Sequence, residues 1–244
     1  MSDILELKDV SFFAQNRSIV EDFSWRYEEG KTTALAGPSG GGKSTVLKLS
    51  AGLLVPGRGE VCFRGKNIAH MSHKENLEFR AEAAFVFQDS ALWANQNLLQ
   101  ILELPLQIHF PRMSAAERGK RIEEVLKEVG YKKEMAIRPS MLSMGEQKLI
   151  AFARAMICRP RLLFLDEWTE SLDGSAAGRL VNLVKSRQEA HDTVIFVSHD
   201  LRIIRDLADQ VLMIQDGKLL ITLTREQLDS DAHLAQYLEK GIAS

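Results

Sequence analysis

The sequence predicts an α/β fold built on a mostly parallel sheet. Short apolar runs typical of buried strands recur along the chain, at Thr32 to Ala36, Ala83 to Phe87, Leu162 to Leu165 and Val194 to Val197. The segments between them are long enough for the crossover helices that join parallel strands. With 244 residues, 45% of them hydrophobic, the chain has enough apolar side chains for the core of one large domain.

The first strands differ from this pattern. From Ile4 to Val10 and from Val20 to Tyr27 the apolar residues alternate, with Phe23, Trp25 and Tyr27 on one face. Such alternation is typical of half-buried antiparallel strands. The mostly parallel core sheet is therefore expected to carry N-terminal antiparallel β strands.

A glycine-rich loop follows the run that ends at Ala36. Its sequence, Gly37-Pro38-Ser39-Gly40-Gly41-Gly42-Lys43-Ser44, matches GxxxxGK[ST] at every fixed position. Glycines allow backbone N–H groups to surround a phosphate chain, and the helix predicted from Ser44 to Leu54 adds the positive end of its dipole. Lys43 is expected to hold the β and γ phosphates, and the Ser44 hydroxyl is suited to Mg²⁺. A turn without function is the alternative, which the flanking strand and helix disfavour.

Two acids end the apolar run at Leu165. Ligands of parallel sheets bind beyond the carboxyl ends of the strands, so Asp166 and Glu167 are expected to face the phosphate loop. Asp166 is predicted to orient the Mg²⁺ shell, and Glu167 to polarise the water that attacks the γ phosphate. Alone, the pair is equally consistent with a solvated turn.

Helical signals dominate the stretch between the strand at Ala83 and the strand at Leu162. They include the capping box Ser114-x-x-Glu117 and predict a helical subdomain at about 89–160, inserted in a domain that spans 1–223. Strands are predicted again at Gln210 to Ile214 and Lys218 to Leu223. A helical tail at 224–244 begins with the capping box Thr224-x-x-Gln227 and carries an apolar stripe, which packs on its own domain or reaches another subunit. The stripe consists of Leu228, Leu234, Tyr237 and Leu238.

Composition argues against several classes of protein. The 31 basic and 33 acidic residues give a net charge of -2, without the basic surplus typical of nucleic-acid binding. Charge-free stretches are shorter than the about 20 apolar residues of a membrane span. The acidic start MSDILELKDV is unlike a secretory signal, and Cys62 and Cys158 offer no disulfide framework, which favours a cytoplasmic protein without a nucleic-acid partner.

One further motif identifies a family. Leu142-Ser143-Met144-Gly145-Glu146-Gln147 resembles the LSGGQ signature of ATP-binding cassette (ABC) ATPases. Gln88 matches the Q-loop glutamine, Glu170-Ser171-Leu172-Asp173 resembles the D-loop, and Val197-Ser198-His199-Asp200 resembles the switch-histidine segment. The resemblance covers nearly the whole chain and implies a P-loop NTPase of ABC type that binds ATP and Mg²⁺ and hydrolyses ATP.

The resemblance also implies a role for each motif residue. Lys43, Glu167 and His199 are the expected catalytic residues, with His199 sensing the γ phosphate. Ser44, Gln88 and Asp166 are the expected Mg²⁺ ligands. Nucleotide contacts are expected along the loop and in the signature of a second subunit, from Gly37, Pro38, Ser39, Gly40, Gly41, Gly42, Lys43, Ser44, Thr45, Gln88, Ser143, Gly145 and Glu146.

Four positions depart from the family pattern. Ala14 stands where an aromatic residue usually stacks on adenine; Phe12 and Phe13 are the alternatives, although the strand alternation favours a core position for both. Met144 replaces the first signature glycine, Glu146 replaces a glutamine, and Trp168 stands where proline normally follows the acids.

The implied partners follow from the composite site. A single cassette needs a second copy or a similar ATPase subunit, and an integral membrane permease that holds it at the inner face of the cell membrane. Ala91-Leu92-Trp93 and Leu104-Pro105-Leu106 are expected either to receive the permease or to form subdomain core.

The most specific inference concerns the cargo, the molecule that is transported. The segment Phe87 to Trp93, Leu104-Pro105-Leu106 and the tail ending Tyr237-Leu238-Glu239-Lys240-Gly241 resemble ATPases of MCE (Mla-type) lipid transporters, which implies an MCE-domain lipid-binding protein as a further partner. ATPases of other importers or exporters, such as amino-acid importers and lipoprotein-release systems, are alternatives. Soluble iron-sulfur assembly ATPases and P-loop kinases are the rivals outside transport.

Overall fold

The computed structural model describes residues 2–15 and 17–230. These residues form two compact units, one from the start of the chain to Asn76 together with the residues from Gln188 onward, and one spanning Leu77–Arg187. The predicted boundaries at 89–160 and 223 stay predictions, and the part of the tail from residue 231 onward lies outside the described residues.

Ten strands and eight α-helices make up the described part of the chain. The strands are β1 (Asp3–Ala14), β2 (Arg17–Glu28), β3 (Thr32–Ala36), β4 (Arg58–Phe63), β5 (Lys66–Asn67), β6 (Ala83–Val86), β7 (Leu162–Asp166), β8 (Thr193–Val197), β9 (Gln210–Gln215) and β10 (Lys218–Thr224). The helices are α1 (Lys43–Ser50), α2 (His73–Glu82), α3 (Leu98–His109), α4 (Ala115–Val129), α5 (Met144–Met156), α6 (Gly174–Glu189), α7 (Leu201–Leu207) and α8 (Arg225–Ser230).

The first unit contains an antiparallel sheet in the order β2-β1-β4-β5. The predicted pairing of the first two strands is confirmed, since Val10 lies opposite Phe23 and Leu5 opposite Tyr27. Phe23 and Tyr27 are both buried, because alternate residues of the strand share one face.

The expectation that Phe13 belongs to the core is wrong. Its side chain is 49% exposed at the end of β1, where Phe13 pairs with Ser18. Phe12 is half-buried. The hairpin runs beyond the part of the strand pair that covers the core, so alternation continues there without burial.

Parallel pairing in the first unit places β3 between β8 and β9. All five residues of β3 and of β8 are buried, which explains why both read as continuous apolar runs rather than alternating ones. Strand β10 pairs antiparallel with β9 and closes this group. The predicted mostly parallel core is thereby confirmed.

Helix α1 ends earlier than the sequence pattern predicts. It stops at Ser50 rather than at Leu54, because Gly52 adopts a φ of 61° and the N–H of Leu53 turns back to the carbonyl oxygen of Lys48 at 2.9 Å. A glycine in the left-handed conformation just past the last turn is a common helix stop.

The second unit combines the parallel pair β6 and β7 with helices α3 to α5. The predicted capping box at Ser114 is present, with the Glu117 N–H donating to the Ser114 hydroxyl at 3.3 Å and the Ser114 N–H donating to the Glu117 carboxylate at 2.7 Å. The apolar face of α4 is buried, including Ile122, Val125 and Val129. Across the part of the chain that the structure describes, none of the helices has the length and apolar character that a membrane span requires.

Candidate nucleotide site

The glycine-rich loop joins β3 to α1, as predicted, and its backbone requires glycine. Gly37 has a φ of 137°, and a Cβ atom there would lie 2.0 Å from the carbonyl oxygen of Ile214 on β9. Gly42 has a φ of 99°, and its Cβ would meet the carbonyl oxygen of Ile19 on β2 at 2.9 Å. The loop is therefore packed closely on two neighbouring strands, in a shape that only glycine permits at these points.

Lys43 closes this loop on itself. The side chain is 6% exposed, and its ammonium group donates to the carbonyl oxygens of Gly37 at 2.8 Å and of Pro38 at 2.7 Å. The ammonium group therefore lies over the loop's own backbone. A phosphate chain that enters the loop meets a positive charge already held above the peptide groups.

The start of α1 is arranged for an anion. Gly42 is the residue at its N-cap, and no side chain caps this end of the helix. Backbone N–H groups in the first turn of a helix lack intrahelical partners and carry the positive end of the dipole. Ser44 and Thr45 lie half-buried in this first turn.

His199 lies in the same unit, just beyond the end of β8. The residue is exposed, and a short turn holds it before α7, in which the Asp200 N–H donates to the Ser198 hydroxyl at 3.1 Å. Asp200 caps α7 by accepting from the N–H of Arg202 at 2.8 Å. The Arg202 guanidinium lowers the pKa of the Asp200 carboxyl below its usual value, so this cap stays ionised.

The two predicted acids lie in the second unit. Asp166 ends β7 at 2% exposure, and Glu167 follows it at 8% exposure with a φ of 45°. A non-glycine residue in the left-handed region is strained, and such strain is concentrated at functional sites. Trp168, which replaces the family's proline, is fully buried and anchors the chain directly after the acids.

Gln88 lies just beyond β6 in the same unit as the acids. Its side-chain amide donates to the Glu170 carboxylate at 3.1 Å, which joins the predicted Q-loop to the predicted D-loop segment. Lys148 of α5 donates to the main-chain carbonyl oxygens of Phe87, at 3.4 Å, and Gln88. Burial lowers the pKa of Lys148, while the carboxylates of Glu170, Asp166, Asp89 and Glu167 act in the opposite direction.

The signature motif forms the start of α5. Ser143 is the N-cap: its N–H donates to the Glu146 carboxylate at 3.0 Å, and the Glu146 N–H donates to its hydroxyl at 3.3 Å. Lys133 and the Ser143 main chain lower the pKa of Glu146, which keeps this capping carboxylate ionised. Glu146, the family's glutamine position, is therefore engaged in a capping box.

Gly145 of the signature motif is closely packed, whereas its neighbour Met144 is exposed. A Cβ at Gly145 would lie 3.1 Å from the carbonyl oxygen of Ser171, so this glycine allows the D-loop segment to pass close to the helix start. The side chain of Met144 is 70% exposed.

The structure groups the predicted site residues by unit. The residues of 37–45 and His199 lie in the first unit, and Gln88, Asp166, Glu167, Ser143, Gly145 and Glu146 lie in the second. Sequence reasoning missed Lys148 and the contact made by Glu170. A lysine within the otherwise apolar face of α5, and an acid in the D-loop segment, were the available signals.

Comparison with known proteins decides the family. The sequence profile described as ABC transporter matches residues 20–170 of this chain. The chain belongs to the ABC transporter family. As an ABC cassette it is an ATPase, which binds ATP and hydrolyses it to ADP and phosphate in support of transport.

Relatives of this ABC ATPase differ in their named cargo. MlaF, an intermembrane phospholipid transport ATP-binding protein of Haemophilus influenzae, is 33% identical over 97% of this chain and 90% of its own length. NikE, a nickel import ATP-binding protein of Brucella suis, is 35% identical over 91% of this chain and 85% of its own length. The uncharacterized ABC transporter ATP-binding protein YejF of Escherichia coli is 37% identical over 83% of this chain, which spans only 39% of YejF.

Solved cassettes share the fold. The dimeric structure of the ATP-binding cassette MJ0796 bound to ADP and Pi matches this ABC ATPase with a TM-score of 0.84 and 29% identity. The match covers 91% of this chain and 98% of MJ0796. The predicted ABC-type P-loop fold is thereby confirmed.

Proposed function

We propose that this ABC ATPase works as one of two paired cassettes that power a separate integral membrane permease from the cytoplasmic face, and that the cargo is phospholipid or a related hydrophobic molecule. A second copy of this chain or a similar ATPase subunit forms the pair. The observation that carries the lipid assignment is the reach of the MlaF similarity. The MlaF similarity covers 97% of the chain, which includes most of the tail 224–244. The NikE similarity covers 91% of the chain.

The phosphates of ATP are held by the loop from Gly37 to Thr45. Backbone N–H groups of the loop and of the first turn of α1 point at the phosphate oxygens, and Lys43 exchanges its carbonyl partners for the β and γ phosphates. The positive φ values and close contacts of Gly37 and Gly42 support this role, because they give the backbone the curvature that a phosphate cradle needs.

The donor set suits Mg²⁺. The Ser44 hydroxyl, the Gln88 amide oxygen and the Asp166 carboxylate are hard oxygen ligands, and Mg²⁺ in nucleotide sites binds through few protein groups and the substrate phosphates. When bound, the ion neutralises charge that develops on the β and γ phosphates. Ser44, Gln88 and Asp166 are therefore the residues proposed to hold it.

Glu167 orients and polarises the attacking water. A buried carboxylate on strained backbone is held in one place, so it needs little reorganisation during the reaction. His199, exposed at the end of β8, is proposed to contact the γ phosphate. Ser143, Gly145 and Glu146 at the start of α5 complete the site of the paired cassette.

Phe13 is proposed to stack on adenine. Its neighbour across the hairpin is Ser18, and the carbonyl oxygen of the adjacent Ile19 would lie 2.9 Å from a Cβ of Gly42, so the hairpin end is next to the phosphate loop. We expect Phe13→Ala to weaken ATP binding by about 1 kcal/mol, roughly fivefold. Equilibrium titration with a fluorescent ATP analogue measures the change.

The control for this prediction is Leu220→Ala, which truncates a side chain that is 51% exposed on β10. Ala14→Tyr is the complementary variant: it should tighten ATP binding only if no aromatic ring already covers the base. Unchanged affinity in Phe13→Ala together with tighter binding in Ala14→Tyr would contradict the role of Phe13 and leave adenine unread in the wild type.

The cargo assignment is tested on the intact complex. We expect the tagged ATPase, purified from native membranes, to bring down a multispan permease and an MCE-domain lipid-binding protein. Phospholipid should be extractable from the complex above the level found with an unrelated ABC complex in the same detergent. Recovery of a permease paired with a solute-binding protein for a nickel ion, peptide or other polar nutrient would overturn the lipid assignment and leave the ATPase untouched.

A further inference from the structure

Lys148 is a buried cation that the family motifs do not account for. It lies on α5, 3% exposed, and its ammonium group donates to the carbonyl oxygens of Phe87, at 3.4 Å, and Gln88. Burial of a charged amine is costly unless the charge is hydrogen-bonded. The partners that meet this cost are the two peptide carbonyls at the point where β6 gives way to the Q-loop.

Glu170 holds the side chain of Gln88, whose main chain is held by Lys148. Its carboxylate accepts a hydrogen bond from the Gln88 side-chain amide nitrogen at 3.1 Å. A carboxylate only accepts, so the NH₂ group of the amide must face Glu170 and the amide oxygen must face elsewhere. Gln88 is thus held through its main chain by Lys148 and through its side chain by Glu170, with the metal-binding atom left outside both contacts.

The loop that follows is anchored separately. Arg154, also on α5, donates to the carbonyl oxygens of Ala91 at 2.7 Å and of Ser90 at 3.2 Å. Ser90 and Ala91 have φ values of 64° and 44°, so the backbone here is already fixed in an unfavourable conformation. Removal of the Lys148 contacts is therefore expected to loosen Gln88 locally while Arg154 keeps the loop on the helix.

We propose that Lys148 is a positioning residue, which fixes the Gln88 main chain so that the amide oxygen of Gln88 is presented to Mg²⁺. This inference rests on the proposed function, in which Gln88 is a metal ligand. Partners outside the ligand shell orient the ligands, and their removal typically weakens metal binding by a factor of about 10 to 100. Because Lys148 belongs to α5, the helix that begins with the signature motif also sets the position of a metal ligand.

The test compares Lys148→Met, which keeps the length of the side chain and removes its donors, with Gln88→Ala and the double variant. The control is Lys127→Met, an exposed lysine on α4 of the same unit. Binding of a fluorescent ATP analogue is measured first in EDTA and then as a function of Mg²⁺ concentration. This readout is an equilibrium constant and does not depend on turnover.

We expect Lys148→Met to bind the analogue in EDTA within twofold of wild type, and to need about tenfold more Mg²⁺ for the same enhancement of binding. The double variant should need no more Mg²⁺ than Gln88→Ala does, because both changes remove the same interaction, that of the Gln88 amide oxygen with Mg²⁺. Lys148→Arg, which keeps the charge and the donors, should recover part of the loss. If Lys148→Met does not fold, Lys148→Leu, which also lacks donors, carries the same test.

Three outcomes would overturn the inference, and each has a different meaning. A wild-type Mg²⁺ dependence in Lys148→Met, with a shifted one in Gln88→Ala, removes the role of Lys148 and leaves the proposed function intact. A wild-type dependence in Gln88→Ala shows that Gln88 is not a metal ligand, and the inference about Lys148 falls with it. Additive losses in the double variant would show that Lys148 acts on the site independently of Gln88, and would also overturn the proposal.

Discussion

Glu167→Gln is expected to bind ATP and to pair with a second cassette, while its hydrolysis falls by about three powers of ten. Each tenfold loss of rate corresponds to about 1.36 kcal/mol, so the expected increase in barrier is about 4 kcal/mol. The physical reason is that the amide has the shape of the carboxylate but cannot accept a proton from water or polarise it as strongly. Steady-state phosphate release and ATP-dependent dimerisation measure the two halves of this expectation.

The burial of Glu167 makes the substitution informative. Glu167 is 8% exposed and has a φ of 45°. Because glutamine has nearly the same shape as glutamate, the substitution leaves no cavity at this buried position, and a loss of activity is not expected to reflect a loss of fold. Glu123→Gln, which removes a charge from the exposed face of α4, is the matched control. Turnover at the wild-type rate in a folded Glu167→Gln variant would refute the assignment of the catalytic carboxylate.

Sequence patterns predicted the strands of the core better than the ends of its helices. Strands such as β3 and β8 are buried along their whole length, and a continuous apolar run reports this directly. Helix α1 instead ends through the conformation of a single residue, Gly52, which periodicity does not register. The exposure of Phe13 was missed for a related reason, because alternation describes the strand and not where the covering layer stops.

The family motifs predicted which residues belong to the candidate site, but not how they are held. Ser143 and Glu146 were expected to face nucleotide, and within this chain they cap each other across one helix turn. Lys148 and Glu170 both bind Gln88 and are distant from it in the sequence, so no local pattern reveals these contacts. Contacts of this kind depend on how α5 and the segment after β7 pack within the second unit, which follows from tertiary structure alone.

Gly37→Ala is expected to abolish ATP binding and to lower the free energy of unfolding by about 3 kcal/mol or more. A Cβ at this position would lie 2.0 Å from the carbonyl oxygen of Ile214 and 3.0 Å from its carbonyl carbon. Both are backbone atoms of β9, a buried strand that pairs with β3, so neither moves without disturbing the sheet. The φ of 137° adds strain that an alanine does not relieve.

Gly40→Ala separates the clash from the strain. Gly40 belongs to the same loop and also has a positive φ, 76°, but a Cβ there would meet nothing within 4 Å. Its expected cost is therefore the conformational preference alone, about 1 kcal/mol, with ATP affinity reduced far less than in Gly37→Ala. Denaturant unfolding and nucleotide titration of both variants measure these differences. Equal losses in the two would mean that left-handed backbone, and not the approach of β9, makes glycine necessary in the phosphate loop.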